Sequence, residues 1–136
     1  MLTQRKISKS SVISNISCSS LFSSGLKRNS FSDVAKNIAM ISEKELAEVS
    51  NISQRSISRL KPDDLLPDHT AEVIISIMRT YHRALEVFED EDTAHKWLKT
   101  PLQVLNNKMP LQAVSNRFGA ELVLDVLGRI EHGIFS

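Results

Sequence analysis

Nine consecutive residues, Ser53-Gln54-Arg55-Ser56-Ile57-Ser58-Arg59-Leu60-Lys61, set three cations, three hydroxyls and one amide around two apolar side chains. Wound into a helix, Ile57 and Leu60 face inward while Gln54, Arg55, Ser58 and Arg59 face out. Glutamine reads adenine and arginine reads guanine through paired hydrogen bonds, and Ser53, Ser56 and Lys61 are placed to meet phosphates. This is the chemistry of a helix set into the DNA major groove. A plain helical hairpin with a solvated polar face has the same spacing, so both readings stand at this point.

Catalytic and metal chemistry find less support. His69, His82 and His95 lie 13 residues apart, which turns each well over half a turn from the last on a continuous helix, and Pro101 separates His132. No two histidines stand at i, i+3 or i, i+4, so packing or surface roles are expected, with no metal site. The acidic run Glu89 to Asp92 lacks the alternating ligands and turn glycine of a calcium loop and reads as a solvated helix start. None of the many serines sits in a glycine elbow or a phosphate-cradling loop. The single cysteine, Cys18, lies where no base can be fixed against it. The expectation is a protein without enzymatic activity or cofactor.

The elements that must hold these residues are helices. The chain has 136 residues, 41% hydrophobic and 24% charged, with four glycines and four prolines, the profile of a helical globular protein with one core and appendages. No apolar run approaches the roughly 18 residues of a membrane span. The lone cysteine excludes an internal disulfide framework and fits a reducing, cytoplasmic compartment. Residues 1–30 hold five of the 17 basic residues and none of the 16 acidic ones, leaving 12 against 16 beyond. A basic, Ser-rich arm thus precedes an acidic body; it reads as disordered in isolation, suited to a polyanion or to solvent alone. Its composition also matches a transit peptide, a reading that the motifs further on oppose.

Order is expected from Phe31, where Phe31, Val34, Ile38 and Ile41 recur at helical spacing behind Ser32 or Asp33 as a cap. Ser42 and Glu45 form a capping box for a helix that buries Leu46 and Val49. Asn51 takes a left-handed turn, Ile52 plugs it, and Ser53 caps the helix carrying the polar face. Pro62 and Pro67 bracket an acidic linker. Ile74, Ile77, Met78, Tyr81, Leu85 and Phe88 then form an amphipathic stripe, the central helix of the body. A short helix follows with Ala94, Trp97 and Leu98, the Trp as a core anchor, and Pro101 stops it. Pro110 opens another that buries Leu111, Val114 and Phe118. The last helix runs from about Ala120 to His132, with Val123, Val126, Leu127 and Ile130 inward and Gly133 as its cap; Gly128 reads as a site of close packing. The fold class is all-α, with a helix-turn-helix at residues 31–66 and a helical domain at 67–136.

The run EVFEDEDTAHKWLKTP (Glu86 to Pro101), Pro110-Leu111, Gly119 and the closing LGRIEHGIFS carry a resemblance to the toxin-binding domain of the Xre/MbcA/ParS antitoxins. These are the antidote halves of RES-type toxin-antitoxin pairs in bacteria. The resemblance covers about half the chain, and the helix-turn-helix sits where that family has its Xre-like part. In LNNKMP the chain departs from the family's usual glycine, so Asn106 and Asn107 must make that turn. The Ser-rich arm falls outside it.

The resemblance implies an antitoxin that binds promoter DNA of its own operon as a dimer and silences a RES-domain toxin that degrades NAD. Dimerisation also follows because one recognition helix buries little DNA surface. Ile134, Phe135 and Ser136 are then expected to be buried in the toxin, an aromatic ring filling an apolar subsite and a terminal carboxylate pairing with an arginine. Arg129, Glu131, His132 and Gly133 would dock at the rim. Without the resemblance, Ile134 and Phe135 read as a hydrophobic cap folded back on the last helix. A stand-alone helix-turn-helix regulator with no toxin is the alternative function; it would need the same Gln54 to Lys61 face and nothing from the C-terminus.

Overall fold

A computed structural model describes residues 25–133, and there the chain is all-α. In order come α1 (Arg28–Asp33), prolonged by a π-helical turn (Val34–Ala39), α2 (Glu43–Val49), α3 (Gln54–Arg59) and α4 (Asp68–Phe88). α5 (Glu91–Leu98), a 3-10 turn (Gln103–Leu105), α6 (Pro110–Ala113) and α7 (Arg117–Glu131) follow. Extended pairing among the described residues is confined to two isolated antiparallel bridges, Lys27 with Leu65 and Leu102 with Lys108. No helix among them is long and apolar enough to cross a membrane.

The 21-residue α4 is the axis of the molecule. Its expected stripe is buried at Ile74, Ile77, Met78, Tyr81 and Leu85, with Phe88 half-buried. Val73, Ile75, Thr80 and Ala84 are buried as well, so the helix is covered on more than one side. α7, α5 and the π-helical turn pack on it. One contiguous core runs from Leu26 to Leu127, across the division expected at Pro67, where Pro67 occupies the N-cap of α4.

Three expectations are corrected. Order begins before Phe31: Leu26 is buried, Leu66 N–H donates to its carbonyl at 2.7 Å, and Arg28 N–H donates to Asp64 at 2.8 Å. The loop after α3 supplies backbone partners that a scan for helical period does not register. Ser32 and Asp33 therefore lie inside α1 rather than capping it, and Lys27 and Arg28 belong to the fold and not to a free arm. Second, the helix after Pro110 stops at Ala113, and Asn116 caps a new one by accepting from Gly119 N–H at 2.8 Å. That restart turns Phe118 outward, where it is 77% exposed, while Leu111 and Val114 are buried as expected. Third, a Cβ built on Gly128 meets nothing within 4 Å, so close packing does not explain it.

The turn at Asn106 and Asn107 is as expected: both are left-handed, with φ of 58° and 64°. Asparagine is among the few side chains that visit this region at low cost. Gly119 is needed for a different reason, because a Cβ there would lie 1.9 Å from the carbonyl oxygen of Ala113. Backbone cannot yield as a flexible side chain does. Gly119→Ala is expected to lower stability by about 3 kcal/mol or more through overpacking, whereas Gly128→Ala raises it by up to about 1 kcal/mol. Denaturant midpoints of the two variants against the parent check both signs.

Candidate functional site

Two surfaces carry the residues singled out by the sequence. The first is the α2–α3 hairpin. Ser42 Oγ accepts from Glu45 N–H at 3.1 Å and Ser53 Oγ from Ser56 N–H at 3.0 Å, which satisfies an otherwise orphan donor at each helix start. Asn51 turns the chain between them with φ of 56°. Ile57 is buried and Leu60 half-buried, so α3 is pinned by one face. Ser53, Gln54, Arg55, Ser56, Ser58, Arg59 and Lys61 are all exposed together, without an acidic residue among them. Asp63 and Asp64 follow at once, and Asp64 accepts from Lys61 N–H at 2.8 Å.

Arg28 seats this hairpin and was not singled out by the sequence. Its Nε donates to the Ile57 carbonyl at 3.1 Å, and its two terminal nitrogens reach Ser32 Oγ and Glu43 Oε1, each at 2.6 Å. Ser32 Oγ closes the cluster on Glu43 Oε2 at 3.1 Å. One guanidinium thereby ties α1 to the start of α2 and to the middle of α3. Its position in a basic, serine-rich stretch hid this role, because its partners lie 15 and 29 residues away.

The second surface is the α4–α5–α7 end. Glu89 is left-handed and stops α4, and Asp90 caps α5 through Thr93 N–H, so the acidic run is a helix junction. Among the histidines, His69, His82 and His132 are exposed, while His95 is held between Tyr81 Oη at 3.2 Å and the Ile38 carbonyl at 2.9 Å. Lys99, one turn on, donates to the Met40 carbonyl at 2.6 Å. Trp97 is half-buried with its ring 5.8 Å from Phe88. An open cleft of about 450 Å³ between α4 and α7, lined by Ser76, Arg79 and Leu124 among others, holds none of the predicted site residues.

At the end of α7, Glu131 is already engaged. Both terminal nitrogens of Arg83, on α4, donate to its two carboxylate oxygens at 3.1 and 2.5 Å. Arg129 pairs with Asp125 at 3.1 Å, His132 is exposed, and Gly133 turns left-handed with φ of 76°. Ile134, Phe135 and Ser136 lie outside the described residues, as does the arm before Gly25. Arg83 was also missed by the sequence reading, since nothing local marks a pair 48 residues apart.

The described residues thus form an all-α fold that carries a polar α2–α3 hairpin and a packed α4–α5–α7 unit. Residues 83–133 match the family described as the antitoxin Xre/MbcA/ParS C-terminal toxin-binding domain. A protein named Antitoxin Xre from Yersinia enterocolitica is 32% identical over 101 residues, covering 72% of this chain and 68% of that one. Another Antitoxin Xre, from Photorhabdus laumondii, is 28% identical over 106 residues, covering 76% and 72%. The chain belongs to the Xre/MbcA/ParS antitoxin family, the antitoxin half of a toxin-antitoxin system.

The hydrogen-bonded guanidinium of Arg83 holds the Glu131 carboxyl below the usual glutamate range. Its folded pKa is lower than its unfolded one, so the pair's stabilisation is present above the ordinary glutamate pKa and is lost as pH falls through the depressed value. The gap in thermal stability between the parent and Arg83→Gln is therefore expected to narrow on acidification through that window, as melts across pH would record. A second expectation concerns Arg28: Arg28→Met removes the cluster's cation and lowers stability by about 2 kcal/mol, read from the denaturant midpoint.

Proposed function

We propose that this antitoxin neutralises a RES-domain, NAD-degrading toxin by occluding its active site with Ile134, Phe135 and Ser136, and that α3 binds promoter DNA of its own operon as a homodimer. The observation that carries the reading is the family match itself, which spans Arg83 to Gly133 and so leads directly into those three residues. Gly133 is left-handed just after α7, the usual backbone of a helix C-cap, which supports a reading in which the helix does not continue into Ile134. On this reading an aromatic side chain and a thin segment enter the nucleotide cleft, and Arg129 and His132 meet its rim. The degradation of NAD belongs to the toxin; the antitoxin contributes shape and occupancy.

The DNA half rests on α3. Gln54, Arg55, Ser58 and Arg59 project from a helix whose other side is anchored, with Ser53, Ser56 and Lys61 at its edges for phosphates. Two copies related by a twofold axis would present two such helices to adjacent half-sites.

Coexpression with the gene product encoded beside it, scoring growth, cellular NAD and copurification, tests the first half. Full-length protein is expected to preserve growth and NAD, and a form lacking Ile134 to Ser136 to fail while remaining folded. Equal rescue by the two forms overturns the plug, and absence of any complex leaves a stand-alone DNA-binding regulator. For the second half, Arg55→Ala and Arg59→Ala are each expected to weaken promoter binding by about 5- to 150-fold, with toxin neutralisation unchanged. Promoter binding that is absent, or indifferent to both changes, makes α2–α3 a plain helical hairpin.

A further inference from the structure

The sequence spaces Phe118 with Leu111 and Val114 as one inward stripe, and the fold puts it outside. α6 ends at Ala113, Asn116 opens α7, and Gly119 lies so close to the Ala113 carbonyl that a larger residue would strike it. Asn116 Oδ1 accepts from Gly119 N–H at 2.8 Å. The backbone is thus fixed on both sides of Phe118, and its ring stands 77% exposed on a rigid helix start.

Of the Phe, Tyr and Trp side chains among the described residues, Phe31 and Tyr81 are buried and Phe88 and Trp97 half-buried, so Phe118 alone is left to water. One exposed apolar residue is ordinary on a protein surface, and exposure by itself decides nothing. Its place decides more. Phe118 lies within residues 83–133, the span matched as a toxin-binding domain, and Val104, the next most exposed large apolar side chain there, is 47% exposed. Glu131, at the far end of α7, is about 20 Å away along the helix, so a contact at that end does not cover the ring. Helical spacing sets Glu121 and Leu122 beside Phe118, and Arg117 beside Glu121. Leu122 is half-buried and widens the apolar spot, while Arg117 and Glu121 are exposed and form no ion pair among the described residues. Asp125, next along this side, is taken by Arg129 at 3.1 Å.

We infer that Phe118 is a second anchor for the toxin, separate from the C-terminus: it fills an apolar slot whose rim offers an acid to Arg117 and a cation to Glu121. This rests on the toxin partner that the family implies and is independent of the plug. Aromatic rings are enriched at interface centres, where they cover a large area while freezing only two torsions. A ring already held out on a capped helix start loses little further freedom on docking.

Five full-length proteins and one deletion decide it: the parent, Phe118→Ser, Phe118→Leu, Glu121→Lys, Met40→Ser and the form lacking Ile134 to Ser136. Each is titrated calorimetrically against the purified product of the gene encoded beside this one, and its melting temperature and mass in solution are recorded. Phe118→Ser is expected to melt with the parent, to keep its mass and to bind about 30-fold or more weakly. Phe118→Leu keeps an apolar side chain and retains most of the affinity. Glu121→Lys sets like charges against each other at the rim, and its loss shrinks as salt is raised. Met40→Ser removes an exposed apolar side chain outside the matched span and binds as the parent does.

Parent-like affinity in Phe118→Ser overturns the inference, as does an equal loss in Met40→Ser. A Phe118→Ser protein that falls from dimer to monomer with toxin affinity kept assigns the face to a second copy and overturns it too. Weak binding by Phe118→Ser beside parent-like binding by the deletion leaves this anchor standing and removes the plug. No binding by the parent removes the toxin reading, and the inference falls with it.

Discussion

Burial of α4 is the constraint on which the rest of the structure depends. Ten of its 21 residues are buried, which is possible only if other elements cover it on several sides. α7, α5 and the π-helical turn do so. Tyr81 contributes to both requirements of such a helix: its ring fills space while its hydroxyl meets His95. Removing α4 from this arrangement would leave no element with enough apolar surface to organise the others.

The same packing joins the two candidate surfaces. A π-helical turn followed by left-handed Met40 ends this helix, and the carbonyls of Ile38 and Met40 meet side chains from outside it, His95 of α5 and Lys99 just after α5. Orphan carbonyls at helix ends must find partners, and here they find them on the neighbouring segment. The α1–α2–α3 part and the toxin-binding part are thus not beads on a linker; they share one core and a seam of polar contacts.

Arg28 and Arg83 show two uses of the same side chain. Arg28 is half-buried and gathers a carbonyl, a hydroxyl and a carboxylate, so it sets the seat of α3 at a cost that only full satisfaction of its donors offsets. Arg83 lies nearer solvent and meets the carboxylate of Glu131 in a fork. The first holds an element in place and the second holds an end in place. Both cations stand in stretches whose local patterns gave no hint of their partners.

Much was legible before any coordinates. The central stripe, the caps at Ser42 and Ser53, the left-handed turns at Asn51, Asn106 and Asn107, and the exposed face from Gln54 to Lys61 all follow from local rules. Period, capping chemistry and backbone preference act over at most a few residues, so the sequence by itself determined an all-α protein, the positions of most of its helices and the family to which its motifs belong. What only the tertiary structure decided depends on partners far along the chain. Leu26 and Arg28 join the fold because the loop after α3 receives them, and Phe118 points outward because α6 ends and α7 restarts. Glu131 is held because Arg83 lies beside it, and Gly119 is required because a carbonyl of α6 passes where its Cβ would be. Distance in the chain carries no mark of distance in space, and close approach, long-range pairing and helix register are set only when the elements pack.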